Sequence, residues 1–435
     1  DAKHLAEAAL GMGGVGFATV AGEHYVVDET LVGLLEEALD TLDENGALRA
    51  KVMGRLAQAL YWTHERERIE SLAHQAIETA RGLGDEETLA YTLNAAHWAI
   101  WGPDSVEERL AIATEMLQLA QRSNHKEMTL QGHIWRVADL LELGDIGALE
   151  TEIQLYANLA KELRQPLYLW YTPLFRGIQA FIEGRLEDAA RLAVEALSIG
   201  QRGDRGQQPI TRTSFTIQFW AVRREQGRAE DMLPDAEAYV QQYPDVVGWR
   251  LALAFCYLHL GRESELRSQF GSIASVGVAN IPKDFNWLMI MASLAELNTM
   301  VGDVGVAAEI YELLLPYASL NIVAGRPPAV AMGPAETFLG MLATTTGRYE
   351  EAERHFRRAI ELSNNMMARC FLVRAQDAYA RMLMTRADTG DRDLALQMAT
   401  EALASAQELG IEARLLGLEA LVSALRDDHG MTSVT

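Results

Sequence analysis

Residues Leu339–Leu362 read LGMLATTTGRYEEAERHFRRAIEL. An apolar stretch carrying one small residue, Gly340, runs up to Gly347-Arg348. Beyond that turn, Ala352, Phe356 and Ala359 fall near one stripe of an amphipathic helix. Glycine enters the left-handed conformation that ends a helix more cheaply than other residues do. The stretch therefore predicts two helices meeting at a tight turn, the second presenting small residues that let its neighbour come close.

The same arrangement recurs along the chain. Turns stand at Gly102-Pro103-Asp104, Gly144-Asp145, Gly184-Arg185, Gly227-Arg228, Gly261-Arg262, Gly302-Asp303, Gly347-Arg348 and Gly390-Asp391. Their glycines are 42, 40, 43, 34, 41, 45 and 43 residues apart, a drifting period that suits helix pairs with unequal loops. After Gly184, Ala189, Ala193 and Ala196 form the small-residue stripe, and after Gly390, Ala395 and Ala402 do. Helix pairs are expected at 48–85, 86–125, 126–165, 166–205, 206–245, 246–284, 285–325, 326–368 and 369–411. A capping helix should follow near 412–428, and 429–435 should be a frayed tail. Residues 1–47 read as an irregular N-terminal pair, its second helix running from Glu29 to Asp43. One pair cannot bury its own apolar face, so neighbours stack into a continuous core. The expected fold is all-α: a right-handed α-α superhelix, or solenoid, of about nine helix pairs.

Several units resemble the tetratricopeptide family. That family sets a large and a small residue eight and seven positions before the turn glycine, with alanines five and twelve after it. Leu339, Gly340, Gly347, Ala352 and Ala359 match best. Leu253, Ala254, Tyr257 and Gly261 fit the first half, and Leu294, Ala295, Gly302 and Ala307 fit across the turn. Other units depart, with Arg136 and Arg176 at the large apolar position. The resemblance covers about residues 48–428.

Composition agrees with helix. The apolar fraction is 49%, ample for a packed core, and four of only 11 prolines crowd between Pro316 and Pro334. With 38 basic and 61 acidic residues the chain carries −23, a balance that repels nucleic-acid phosphate and anionic lipid. A basic or neutral partner is expected, with no direct nucleic acid and no membrane. Cys256 and Cys370 are lone thiols in apolar patterns, read as buried structural cysteines in a reducing cytoplasm. No apolar run reaches membrane-spanning length, and the N-terminus lacks a signal-peptide pattern.

A narrower likeness lies in LAYTLNAAHWAIWGPDSVEERLAIATEMLQLA (89–120), LQGHIWRVADLLELGDI (130–146), LRQPLYLWYTPLFRGIQAFIEGRLEDAARLA (163–193) and AVRREQGR (221–228). These are similar to the carboxy-terminal helical repeats of large bacterial ATP-binding regulators. That group includes LuxR-type transcriptional activators and proteins joining a cyclase domain, an ATPase and repeats. The resemblance implies a sensor arm that binds an inducer or partner and restrains or releases an ATPase domain of the same full-length protein. This chain has no G-x-x-x-x-G-K-[ST] loop, no cyclase segment and no helix-turn-helix after Leu425, so those activities are not carried over.

No motif asks for catalysis, a cofactor or a metal. Gly11, Gly13 and Gly16 spell G-x-G-x-x-G, but no strand precedes them, so a loop is the reading. His64 and His74 have no companions at ligand spacing. Glu36-Glu37 and Glu350-Glu351 read as solvated surface. The loop Asn321–Glu336, NIVAGRPPAVAMGPAE, breaks the rhythm and reads as a spacer between helix pairs or a binding loop.

The anomaly is polar residues on first helices. Asn94, Arg136 and Arg176 stand eight residues before a turn glycine, and His97, Asp139 and Gln179 stand five before. Phe219 and Leu253 take the next equivalent places. Equivalent positions lie side by side in stacked repeats, which predicts a ladder. It is either an inter-repeat network, with the arginines paired to Asp139 or nearby carboxylates, or a concave ligand site in which they receive a carboxylate or phosphate. Trp98, Tyr171 and Phe219 join it as aromatics, being core wedges or groove surface. The expected function is a non-catalytic sensor module binding a protein, peptide or small-molecule inducer in the concave groove of a bacterial, cytoplasmic signal-transduction or transcription-regulating ATPase. The alternative is a constitutive protein–protein scaffold.

Overall fold

In a computed structural model, which describes residues 2–12, 27–43, 46–63, 65–203 and 209–427, the chain is a succession of α-helices joined by short turns. In chain order they are α1 (Ala2–Gly11), α2 (Glu29–Thr41), α3 (Ala47–Ala59), α4 (Arg66–Leu83), α5 (Glu86–Ala99), α6 (Val106–Arg122), α7 (Lys126–Leu143), α8 (Ile146–Leu163) and the short α9 (Pro166–Leu169). Then come α10 (Tyr171–Ile182), α11 (Leu186–Gly203), α12 (Pro209–Glu225), α13 (Leu233–Gln242), α14 (Val247–His259), α15 (Glu263–Ala274), α16 (Trp287–Val301) and α17 (Val304–Leu314). The last are α18 (Ala335–Thr345), α19 (Tyr349–Asn365), α20 (Arg369–Arg386), α21 (Asp391–Leu409) and α22 (Glu412–Asp427). The protein is an all-α helical-repeat fold. Of the G-x-G-x-x-G pattern, Gly11 ends α1, while Gly13 and Gly16 lie outside the described residues, as do His64 and the tail.

The turns show why the glycines recur. Gly144, Gly184, Gly227, Gly261, Gly302, Gly347 and Gly390 all have positive φ. At five of them the next residue's N–H reaches the carbonyl five positions back. The bonds are Asp145 to Leu140, Arg185 to Ala180, Arg228 to Arg223, Arg262 to Tyr257 and Arg348 to Ala343, at 2.8–3.0 Å. This is the Schellman closure, which satisfies carbonyls left over at a helix end. Gly302 uses a variant in which the Asn298 side chain bonds both the N–H and the C=O of Asp303, at 2.9 and 2.8 Å. Gly102 is the exception, with no positive φ. Pro103 follows it, and a proline pushes the preceding residue toward extended backbone.

Two compact units result. One comprises Asp1–Leu141, Asp145–Thr172 and Ala196–Arg212; the other comprises Glu142–Gly144, Pro173–Glu195 and Thr213–Thr435. In the second, the small-residue stripes are buried: Ala189, Ala193, Ala352, Ala359, Ala395 and Ala402 have no exposed surface. Gly340 shows what the stripe is for, since a Cβ there would sit 2.7 Å from the Phe356 ring. An arginine early in a second helix also recurrently caps the next first helix. Arg66 donates to the Ile100 carbonyl (2.5 Å), Arg267 to Val301 (2.9 Å) and Arg392 to Leu425 (2.8 Å), placing positive charge at a helix C-terminus.

The second unit coils back on itself. Built Cβ atoms would meet Leu409 at Gly184 (2.8 Å) and the Ala413 backbone at Gly227 (3.3 Å), so the α21–α22 turn lies on two earlier turns. The segment read as a spacer between helix pairs or a binding loop does lie between α17 and α18, and it forms an antiparallel hairpin, β1 (Asn321–Ala324) and β2 (Val330–Pro334). Asn321 pairs with Pro334, Ile322 with Gly333, Val323 with Ala331 and Ala324 with Val330, with an irregularity between Ile322 and Val323. Its strand residues are buried except the half-buried Met332, so it is an interior element of the unit and not a surface loop. Pro and Gly signal a break in helix equally well for a loop or a hairpin; burial distinguishes them only in the folded chain.

Candidate functional site

In the first unit, His97 on α5 and Asp139 on α7 come together as equivalent positions of neighbouring repeats should. The imidazole Nε2 lies 2.8 Å from Asp139 Oδ2, and neither side chain is exposed. Arg109 on α6, equally buried, places Nη1 2.8 Å from Asp139 Oδ1. A buried carboxylate is tolerable only with such partners. Trp135 stacks on His97 at 4.3 Å, Trp101 meets the same ring edge-on at 5.7 Å, and Arg109 lies 4.9 Å over Trp101. Trp135 Nε1 donates to Asn94 Oδ1 at 2.8 Å, and Trp98 packs beside it at 6.2 Å, itself buried. His97, Trp98 and Asp139 thus lie in a buried aromatic and ionic network.

Arg136 is half-buried and does not reach Asp139. Its Nε donates to Glu152 Oε1 at 2.7 Å, and His133 Nδ1 approaches Oε2 of the same carboxylate at 2.6 Å. Burial works to raise the Glu152 carboxyl, but the hydrogen bonds from His133 and Arg136 prevail and hold it below its ordinary range. Thr114 takes another arm of Arg136. Tyr171 is buried between Trp170 (4.1 Å) and Tyr156 (5.9 Å), and burial pushes its hydroxyl far up.

Arg176, Gln179 and Phe219 belong to the second unit. Arg176 is exposed on α10 and makes no ion pair among the described residues; Gln179, three residues on, shares its face and is half-buried. Next to Arg176, Gly177 accommodates the Gln218 side chain, whose Oε1 would lie 2.8 Å from a Cβ built there. Phe219 stacks on Phe215 at 5.0 Å, carries the Arg223 guanidinium 4.6 Å above its ring, and packs with Trp220 on Met232, Ala236, Leu253 and Cys256.

A large ionic cluster inside the second unit was not anticipated from the sequence. Arg224 Nη2 lies 2.5 Å from Glu296 Oε1, Arg374 Nη2 is 2.6 Å from Glu225 Oε1, and Arg414 reaches both Glu296 (3.1 Å) and Asp377 (3.2 Å). Arg224 also stacks on Phe255 at 3.8 Å and offers Nε to His259 Nε2 at 3.4 Å. Burial opposes ionisation of Glu296 and Glu225, yet the surrounding arginines hold both below the usual carboxylate range. Burial, then Arg224, push His259 down to about 4. The only sequence hint was AVRREQGR, whose charges run up to the turn at Gly227. Its partners lie far along the chain, Glu296 for Arg224 and, 149 residues away, Arg374 for Glu225, beyond the reach of any local pattern.

Among the described residues no group of three His, Cys, Asp or Glu is placed to hold a metal, and no helix is long and apolar enough to cross a membrane. Cys256 and Cys370 are free and buried, and burial pushes the Cys256 thiol up to about 12.

A tetratricopeptide-repeat family model matches residues 337–366, the helix pair α18–α19. No curated protein matches the chain. Similar solved structures include a Rap protein complexed with competence and sporulation factor, at 11% identity over 87% of this chain and 99% of that one (TM-score 0.38). The APC/C hetero-tetramer Cut9–Hcn1 is similar at 14% identity over 92% and 88% (TM-score 0.35). Yeast Tom70 is similar at 12% identity over 100% and 97% (TM-score 0.32).

Proposed function

We propose that the chain is a non-catalytic, partner-binding repeat module, and that it serves as the sensor arm of a bacterial signal-transduction ATPase. Helix-pair repeats, one of them matched by the tetratricopeptide model, support the binding role. The likeness of residues 80–410 to regulatory repeats supports the sensor role. The observation that carries the site is Arg176. It is an exposed guanidinium on a first helix, with Gln179 beside it and no carboxylate paired to it among the described residues. Such a group presents a planar fork to a carboxylate or phosphate of an inducer, peptide or protein.

Asn94 and Arg136 keep partial exposure and are the accessible members of the ladder in the first unit. His97, Trp98, Asp139 and Tyr171 would act behind them by holding the helices in place. A bound inducer shifts the module only to the extent that it prefers one conformation over another.

Native mass spectrometry of purified chain, followed by thermal shift with the retained molecules, tests the reading. A ligand that binds only the folded form raises the melting temperature, and Arg176→Ala should abolish that rise. An unchanged rise in Arg176→Ala and in Arg136→Ala removes the site. A phosphate-loop ATPase encoded in the same polypeptide distinguishes a sensor arm from a constitutive scaffold.

A further inference from the structure

Among the described residues, the β1–β2 hairpin is where the helix rhythm yields to paired strands. A two-stranded hairpin is marginal in water by itself, so its surroundings must hold it. Besides packing on its buried side chains, they grip its main chain. Gln218 on α12 donates Nε2 to the Ala329 carbonyl at 3.0 Å, and Arg374 on α20 donates Nη1 to the Met332 carbonyl at 2.7 Å. Both donors are buried and pinned by second partners: Gln218 by the Leu174 carbonyl (3.0 Å) and Arg374 by Glu225 (2.6 Å). Bonds to carbonyls read backbone and not side-chain identity, so the grip suits any extended segment of small residues. Close packing reinforces the preference for small residues: at Gly333 a Cβ would lie 3.0 Å from the Phe371 ring. The resident occupant does not exhaust the grip, because the buried Arg374 Nε has no hydrogen-bond partner among the described residues. The ladder is also short and is interrupted between Ile322 and Val323.

We propose that Gln218 and Arg374 form a reader of extended main chain, that the hairpin is an internal strap occupying it, and that an extended peptide is the partner class that takes its place. The proposal deepens the partner-binding reading without depending on Arg176. Because Arg374 holds the strap with one arm and Glu225 with the other, displacing the strap alters the α12–α20 contact and gives occupancy a way to reach the helices.

Two measurements on the whole chain test it. In hydrogen exchange, the amides of Val323, Ala329 and Ala331 should exchange through an opening that leaves α16 and α18 protected. Exchange only together with those helices overturns the strap. A peptide copying residues 326–334, RPPAVAMGP, should bind Val323→Ala about tenfold more tightly than the wild type, because a weakened occupant competes less. Equal affinity for the two proteins, or binding to neither, overturns the reader. Arg176→Ala should leave the peptide response intact, so failure here and failure of the Arg176 site are separable.

Discussion

Glu225 on α12 and Arg374 on α20 are 149 residues apart in sequence and 2.6 Å apart in space, each almost wholly withdrawn from solvent. Their pairing joins the early and late helices of the second unit, and the hairpin shares the same guanidinium.

Arg374→Met should destabilise the protein by about 3–5 kcal/mol, because it strands a buried carboxylate. Adding Glu225→Leu removes that stranded charge and should recover part of the loss. Urea unfolding of the two variants measures both effects, and equal stabilities would mean the pair does not act as a unit.

Asp139→Ala should cost a similar ~3–5 kcal/mol by leaving Arg109 buried without its carboxylate. The exposed Arg176→Ala should stay within about 0.5 kcal/mol of wild type. Thermal unfolding of the two single variants makes the comparison, and a large loss from Arg176→Ala would assign that residue a packing role.

Gly340→Ala should destabilise by about 1–3 kcal/mol, the overpacking against Phe356 outweighing alanine's better helix propensity. Combining it with Phe356→Leu should relieve part of the strain. Calorimetry on the single and double variants reads the difference.

Stability should fall on acidification, and the direction follows from His259. The folded chain holds it at about 4, whereas the unfolded chain returns it to about 6.5. Between those values the unfolded state binds the extra proton, so stability is whole above about pH 6.5 and declines toward pH 4. Glu225 and Glu296, depressed by their arginines, extend the loss as pH drops below the usual carboxylate range. A melting temperature constant from pH 8 to pH 4 would contradict this.

Asp284 carries the opposite sign. Burial raises its carboxyl to about 6, while the Asn286 N–H (2.8 Å) and the Arg326 charge only partly offset that. Stability from the protonated form is complete below about pH 4 and is lost as pH rises through 6. Asp284→Asn keeps the acceptor for the Asn286 N–H and removes the charge. It should raise the melting temperature at pH 7.5 and change little at pH 4.

The turn glycines and the small-residue stripes were legible in the amino-acid order alone, because a left-handed cap and a 3.6-residue period are local properties. Gly347 with Ala352, Phe356 and Ala359 declares a helix pair without any neighbour. Side-by-side repeats also made the meeting of His97 with Asp139 foreseeable, since it follows from register. What register could not decide is which carboxylate Arg136 would find, that Arg109 from a second helix would complete the Asp139 pair, or that Asn321–Pro334 would be buried as a hairpin. Least of all could it anticipate Glu225 with Arg374 and Glu296 with Arg414. Those contacts depend on how far the second unit bends over more than a hundred residues, and small rotations at each repeat accumulate into that bend. Only the packed tertiary structure sets their sum.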